Sequence, residues 1–340
     1  MKNLLHYRFL VLIGIFGTTL FGIWSFRTIS IDTFPDPTPI QVIIYTETPG
    51  LSAEETELLV TKPIEFVLSG LKDVELVRSV SLPGLSYVSV FFKEGTDIYF
   101  ARNLIAQKLP EAQAQIPQGY VPRIGPNTSG LGNVLFYTII DESGNYSLED
   151  IKTIQMWKIR PIIKSVDGVE DISQWGPEKA YLVKLNPQKM VLYDITLEDI
   201  IKALEEYNQI AGGGFIKSPE GDLVVRGLGR LKSIEEIENV PIKKEDGISL
   251  TIKDIAEVIS SELPNRRGAF TLNTQEVQGN IILKRVKTNT MNLVEKLNKK
   301  IKELQNILPS GLKIEVIYDQ SYLTQKALAT VEKALLEGII

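Results

Sequence analysis

The chain offers few side chains that could carry covalent or metal chemistry. It contains no cysteine and a single histidine, His6, near its start. Thiolate metal sites, disulfides and a histidine-based catalytic triad beyond residue 6 are therefore excluded. Met156, Met190 and Met291 lie far apart, which favours packing in the core over copper(I) binding. No catalytic residue, metal ligand or cofactor is predicted.

Acidic and glycine-rich stretches were the other candidates for ion binding. The acidic clusters fall on predicted helix surfaces, where solvated faces are expected, and none has calcium-loop spacing. The Gly212–Gly214 run follows a helix and precedes a hairpin, whereas a phosphate loop needs a strand before it and a helix after it. With a net charge of −5 and a pI near 5.3, the chain is unsuited to binding nucleic acid.

An apolar run near the N-terminus predicts a membrane anchor. Phe9 to Phe26 holds 18 residues without a charge, or about 27 Å of helix. Lys2 and Arg8 precede the run, and two acids, Asp32 and Asp36, follow it. This asymmetry places the N-terminus in the cytoplasm and the rest in the periplasm, with Trp24 and Phe26 near the outer interface. The competing interpretation, a cleaved signal peptide, is disfavoured because the run is long and lacks a cleavage site.

Strand and helix patterns alternate beyond this run. Residues 40–48 are typical of a strand that ends at the turn Pro49-Gly50. A capping box, Ser52–Glu55, begins a helix over residues 52–68, and Pro63 should kink it. Strands at 73–81 and 85–93 and a helix at 97–115 complete the order β-α-β-β-α.

The same order then returns. Residues 147–172 repeat the cap, the internal proline and the glycine before a strand that residues 52–77 show, and Pro309 and Gly311 repeat an earlier helix exit. Strands are expected at 134–140, 168–174, 179–185 and 312–318, and helices at 147–165 and 290–307. The pattern predicts an α+β protein with two ferredoxin-like, split β-α-β units. Residues 196–262 form an insertion, with a helix, the glycine run and strands at 221–229 and 247–259.

The stretch that follows the predicted anchor and continues into the first helix resembles a known family. It reads "DTFPDPTPIQVIIYTETPGLSAEETELLVTKPIE", and the resemblance continues through "IPQGYVPRIGPNTSGLGNVLFYTI", "NQIAGGG" and "LPSGLKIEVIYDQSYLTQKALATVEKALLEG". These segments are similar, in collinear order, to resistance-nodulation-division (RND) efflux permeases of the heavy-metal branch, of cobalt-zinc-cadmium or copper-silver type. The positions that carry the resemblance are Asp32, Pro35, Asp36, Pro49, Gly50, Glu54, Glu55, Pro63, Gly130, Gly132, Gly212, Gly213, Pro309, Gly311 and Asp319.

The resemblance implies a portion of a proton-driven metal-cation antiporter. It implies an inner-membrane component of a tripartite pump, with a homotrimer or the rest of the permease, a periplasmic adaptor and an outer-membrane channel as partners. Metal cations would be the transported substrate. The implied domains are an anchor (1–30), a first porter subdomain (31–130), a second one in two parts (131–195 and 263–320), a docking subdomain (196–262) and the start of a second transmembrane helix (321–340).

Departures from the family pattern leave some questions open. Asn133 stands where many zinc- and cobalt-type relatives carry a glutamate, so the metal stays undetermined. The proton-relay helices are absent, so the 340 residues are expected to be inactive alone. Two alternatives are an RND exporter of amphiphilic organic compounds and a single-pass anchored periplasmic interaction module. The prolines of "FPDPTPI" predict a stiff strut, and residues 209–231 a hairpin that reaches a neighbouring protomer.

Overall fold

The computed structural model describes residues 8–28, 37–209, 212–218, 221–226, 229–245, 248–263 and 268–339. Asp32, Pro35 and Asp36, and with them most of the predicted strut, lie outside these residues. The chain divides into two compact units. The first comprises residues 1–138, 159–174 and 280–340, and the second comprises residues 139–158 and 175–279.

Twelve helices and fifteen strands are found in the described residues. The helices are α1 (Arg8–Thr28), α2 (Ala53–Thr56), α3 (Lys62–Leu68), α4 (Ile98–Gln113), α5 (Leu148–Ile154), α6 (Arg160–Lys164), α7 (Pro187–Leu192), α8 (Leu197–Tyr207), α9 (Ile234–Glu238), α10 (Ile252–Ile255), α11 (Thr290–Gln305) and α12 (Gln320–Ile339). The strands are β1 (Gln41–Glu47), β2 (Val74–Leu82), β3 (Leu85–Phe92), β4 (Arg123–Ile124), β5 (Asn133–Asp141), β6 (Val169–Trp175), β7 (Lys179–Leu185), β8 (Gly212–Ser218), β9 (Gly221–Arg226), β10 (Pro241–Glu245), β11 (Ile248–Thr251), β12 (Ala256–Glu262), β13 (Phe270–Leu272), β14 (Gln275–Lys284) and β15 (Leu312–Asp319).

Helix α1 contains the apolar run. It is 21 residues long, and Phe9 and Trp24 are 70% and 62% exposed. Phe26 belongs to the same helix. Among the helices that the structure describes, none combines the length and the apolarity needed to cross a bilayer. The membrane anchor therefore stays a prediction.

The first repeat forms a four-stranded sheet with the order β2-β3-β1-β4. Strand β3 is antiparallel to β1 and β2, and β4 is antiparallel to β1. Alternate residues of β1, such as Val42 and Ile44, are buried because one face of the sheet packs against the helices. On the helix side, Ile64, Leu68 and Ile105 complete this core.

Prolines interrupt the first helix of each repeat in the same way. A π-helical segment, Glu57–Thr61, separates α2 from α3 and ends two residues before Pro63. A second one, Gln155–Ile159, separates α5 from α6 and ends two residues before Pro161. Proline cannot donate to the carbonyl four residues back and clashes with it, and the wider π turn relieves that conflict. The disruption expected at Pro63 takes this form.

The second repeat uses two strands that the sequence did not predict, β13 and β14. Its sheet has the order β13-β14-β5-β15, and β6 also pairs with β14. Residues 179–185 were expected to be part of this sheet, but β7 pairs with β12 in a separate two-stranded sheet. The expectation was wrong because β14 carries buried Gln278 and Asn280, which hid the apolar alternation typical of a strand.

Within residues 196–262, the structure contains the predicted helix and hairpin. Helix α8 begins at the capping box of Thr196 and Asp199, and β8 and β9 pair as an antiparallel hairpin. The single strand expected at 247–259 is wrong, because the short helix α10 separates β11 from β12. Thr251 and Asp254 form its capping box, a signal that the sequence contains.

Candidate functional site

The signature residues that the structure describes form turns and caps and do not gather in one cluster. Pro49 and Gly50 turn the chain after β1, and Gly50 has a φ of +88°, which other residues resist. Gly311 has a φ of +92° in the turn where the Leu312 N–H donates to the Pro309 carbonyl at 3.2 Å. Both glycines have backbone roles.

Glu55 caps the first helix. Its carboxylate accepts the Ser52 N–H at 2.9 Å and the Ser52 hydroxyl at 2.8 Å. These hydrogen bonds hold the pKa of Glu55 below its usual value, and the bond from the Ser52 backbone N–H has the larger effect. Neighbouring Glu54 is exposed. Glu55 therefore caps the helix and Glu54 faces the solvent, as the sequence predicted.

Asp319 performs a similar task at the start of α12. Its carboxylate accepts the Ser321 N–H at 2.8 Å and the Ser321 hydroxyl at 2.6 Å. The other oxygen accepts from the side-chain amide of Asn298 at 3.1 Å. Asp319 thus ties the end of β15 to both α12 and α11.

Residues 125–132, which we call the linker, join the two repeats and are held at both ends. The Arg102 guanidinium donates to the Gly125 carbonyl at 2.8 Å. The Asn127 N–H donates to the Glu170 carboxylate at 2.9 Å, and its carbonyl accepts the Val286 N–H at 3.2 Å. Asn127 is buried. Hydrogen bonds to other residues of the first unit therefore fix the position of the linker.

Gly132 closes the linker at a tight position. A Cβ there would lie 2.0 Å from the Thr128 hydroxyl oxygen and 3.0 Å from the Ser129 carbonyl oxygen. The Gly132 carbonyl accepts the Lys284 N–H at 2.8 Å. Gly130 is exposed and has open space around it. Of the two glycines, Gly132 is the one that packing requires. Asn133 follows at the exposed start of β5.

Ion pairs surround Glu170, the residue that accepts the Asn127 N–H of the linker. Arg285 lies 3.4 Å from Glu170 and 3.6 Å from Asp167. Nearby, Arg160 and Lys164 contact one oxygen of Asp171 at 2.8 and 3.2 Å. Burial raises the pKa of Asp171, but the hydrogen bonds from Arg160 and the backbone, with the charges of Arg160 and Lys164, outweigh burial and lower it.

Buried hydroxyls under the first π-helical segment were missed by the sequence reasoning. Thr61 lies 2.8 Å from the hydroxyl of Ser81, 2.8 Å from that of Ser86 and 3.2 Å from the Thr56 carbonyl. Thr61, Ser86 and Thr56 are fully buried. Serine and threonine are mostly exposed in proteins, so the sequence did not indicate that these residues are buried. We call Thr56, Thr61, Ser81 and Ser86 the hydroxyl cluster.

No group of three or more histidine, cysteine, aspartate or glutamate side chains that could hold a metal ion occurs within the described residues. Gly212 and Gly213 begin β8, where Gly212 pairs with Arg226. At the base of this hairpin, a Cβ on Gly229 would lie 2.1 Å from the Gln209 carbonyl oxygen. The two chain segments therefore meet closely where the hairpin leaves its subdomain.

The described residues thus form mixed α/β units with a held linker and an inserted hairpin. Residues 1–340 match the AcrB/AcrD/AcrF family. The chain belongs to this family of RND efflux transporters, whose members are transporters and not enzymes.

Its relatives are named for cation efflux and for metal resistance. The chain is 38% identical to "Cation efflux system protein CzcA" of Alcaligenes sp. (strain CT14), over 98% of this chain and 32% of the relative. It is equally identical, with the same coverage, to "Cobalt-zinc-cadmium resistance protein CzcA" of Cupriavidus metallidurans. Identity to "Cation efflux system protein CusA" of Escherichia coli K12 is 33%. The chain spans about a third of the length of these relatives.

A solved structure shows the same architecture. The crystal structure of a heavy metal efflux pump, in its crystal form II, superimposes with a TM-score of 0.87 at 28% identity. The superposition covers 97% of this chain and 33% of that pump. The mixed α/β architecture is therefore that of the corresponding third of a heavy-metal RND pump.

Proposed function

We propose that the chain is the N-terminal periplasmic porter and docking portion of a proton-driven heavy-metal cation efflux permease. The observation that carries the proposal is the superposition on a heavy metal efflux pump over 97% of the chain. Identity of 38% to proteins named for cobalt, zinc and cadmium supports cations as substrate. The chain spans about a third of these relatives, and the other two thirds of such a permease would supply proton coupling.

The proposal includes the division into subdomains. Residues 31–130 form a ferredoxin-like porter subdomain, which the strand order β2-β3-β1-β4 supports. Residues 131–195 and 263–320 form a second one, and residues 196–262 a docking subdomain whose hairpin contacts a neighbouring protomer of a trimer. A periplasmic adaptor and an outer-membrane channel complete the pump. The held linker would transmit movement between the porter subdomains.

A chimeric permease tests the function. Residues 1–340 would replace the matching third of CzcA from Cupriavidus metallidurans, in a host without metal pumps. We expect raised tolerance to cobalt, zinc or cadmium, because the grafted part has the architecture of the part it replaces. Intact CzcA and CzcA without its first third are the controls. A chimera that assembles in the membrane but raises tolerance to no cation, or to amphiphilic organic compounds alone, would contradict the proposal.

We also propose that α1 anchors the chain in the inner membrane with the following residues in the periplasm. The uncharged run Phe9–Phe26 and its flanking charges support this. The chain has no cysteine, so Ser143→Cys in an exposed loop would be its only thiol. It should react with an impermeant maleimide in intact spheroplasts, whereas a Lys2→Cys control should react only after lysis. The reverse pattern of labelling would show that the orientation is wrong.

A further inference from the structure

We propose that the first porter helix of one chain docks into the groove between α6 and α11 of a second copy. The helix spans residues 53–68 and is acidic. The groove is mostly apolar, and the two helices that form it carry more basic than acidic residues. Both surfaces belong to the first compact unit. The inference concerns contact between two copies of this chain and goes beyond the proposed function, which names no such interface. Failure of the chimera to export cations would leave it standing.

The helix presents apolar side chains to solvent. Phe66 is 81% exposed and Leu58 is 61% exposed. They lie eight positions apart, and the extra residue of the π-helical segment between them brings that spacing close to two full turns. Both residues therefore lie along one side of the helix. An exposed phenylalanine is costly to leave in water and is a common anchor of protein interfaces.

Negative charge surrounds this apolar side. The helix carries four acids and one lysine. The acids are Glu54, Glu55, Glu57 and Glu65. Lys62 pairs with Glu57 at 3.2 Å, and both side chains are more than half exposed. The helix is thus an acidic surface with an apolar ridge.

The groove has the complementary properties. It encloses about 430 Å³, and its lining is mostly apolar. The lining residues are Pro161, Ile162, Ser165, Lys300, Glu303, Leu304 and Ile307. Ile307 is 61% exposed, so the groove is open to an apolar side chain.

Positive charge dominates the two helices that form the groove. Helices α6 and α11 carry six basic residues and two acidic ones. The basic residues are Arg160, Lys164, Lys296, Lys299, Lys300 and Lys302. Asp171 binds Arg160 and Lys164, and Asp167 lies 3.9 Å from Lys296. Within the groove, Lys300 pairs with Glu303 at 2.9 Å. Six basic residues against the two glutamates of α11 and these two aspartates leave a modest excess of positive charge.

Charge complementarity selects a second copy as the occupant. Among the described residues, one chain carries both an exposed apolar ridge bordered by acidic side chains and an apolar groove bordered by basic side chains. Contact between different surfaces of identical chains is a head-to-tail contact, which closes into a ring when the rotation allows. Complementary charges steer such encounters and fix their register.

Cross-linking of the full chain in detergent tests the interface. One preparation carries Ser69→Cys, next to the ridge, and another carries Ser165→Cys, in the groove. The cysteine-free chain supplies a clean background. After mixing and treatment with a short bismaleimide, the mixed Ser69–Ser165 product should dominate. Phe66→Ala in the first preparation should reduce its yield several-fold, and Val191→Ala should not, although Val191 is 83% exposed.

Salt supplies a second readout. Raising the NaCl concentration from about 0.1 M to about 1 M shortens the Debye length from about 10 Å to about 3 Å, and the mixed product should fall several-fold. Thermal unfolding should be the same for all variants, because the changed residues are exposed. Dominance of the Ser69–Ser69 product, a yield insensitive to Phe66→Ala, or no product at all would each overturn the proposal.

Discussion

Replacing Thr61 by valine is expected to destabilise the chain by about 3 kcal/mol, because it breaks the hydroxyl cluster at its centre. Thr61 is fully buried and valine has nearly the same shape, so packing is kept and hydrogen bonding is lost. The change leaves the hydroxyls of Ser81 and Ser86 without this acceptor. A buried polar group left without a partner costs about 1–3 kcal/mol.

The directions of these hydrogen bonds follow from chemistry. The Thr56 carbonyl can only accept, so the single hydroxyl hydrogen of Thr61 points to it at 3.2 Å. Ser81 and Ser86 must then donate to Thr61, each at 2.8 Å. Thr61 therefore uses its full capacity of one donated and two accepted bonds. It fixes the π-helical segment to strands β2 and β3 at once.

The measurement is chemical denaturation of the full chain in detergent, followed by circular dichroism. Thr61→Ser keeps the hydroxyl and loses one methyl group, so it should cost only about 1 kcal/mol. Thr330→Val is the matched surface control, since the Thr330 hydroxyl is exposed and donates to the Lys326 carbonyl at 2.9 Å. Equal stability of the valine and serine variants at position 61 would show that the cluster contributes packing alone.

Local signals explain why most of the fold could be predicted. The Ser52–Glu55 and Thr196–Asp199 capping boxes place two helix starts where the structure has them. Gly50 and Gly311 mark turns because both need a positive φ. Each of these features depends on residues within a few positions of one another, so a single sequence reveals it.

Non-local features were out of reach for the same reason. In the second sheet, β14 pairs with β5 and β6, although it lies far along the chain from both. Its buried Gln278 and Asn280 resemble the polar residues of a solvent-facing segment. In the linker, the Asn127 N–H donates to Glu170, and Glu170 in turn pairs with Arg285. No spacing rule connects such distant positions. The family resemblance predicted the transporter family, whereas the residues alone predicted only a scaffold without a catalytic or metal site.

Deleting residues 213–227 is expected to abolish trimer assembly of the chimeric permease while leaving the isolated chain folded. In the residues that the structure describes, β8 and β9 pair only with each other. Their register places Phe215 opposite Val224 and Ile216 opposite Leu223. A two-stranded ribbon of this kind is marginally stable in water alone. Its apolar pairs therefore call for a partner, and the proposed partner is the neighbouring protomer.

The base of the hairpin explains why its loss should be tolerated locally. Leu231 donates its N–H to the Asn208 side chain at 3.0 Å, so the segments on either side of the hairpin are joined without it. The core of this subdomain contains Ile200, Ile237 and Ile252, which lie outside the deleted stretch. Thermal unfolding of the full chain in detergent should therefore shift by no more than about 2 °C, which corresponds to roughly 1 kcal/mol for a chain of this length.

Assembly is measured by native electrophoresis and sedimentation of the chimera in detergent, alongside its metal tolerance. The matched control, Lys217→Ala with Asp222→Ala, alters one facing pair near the hairpin turn and keeps the apolar pairs, so it should still form trimers. A large fall in the unfolding temperature of the deleted chain would place the hairpin in the local core. Trimers that survive the deletion would assign assembly to other surfaces, because an arm that contributes no contact area cannot hold protomers together.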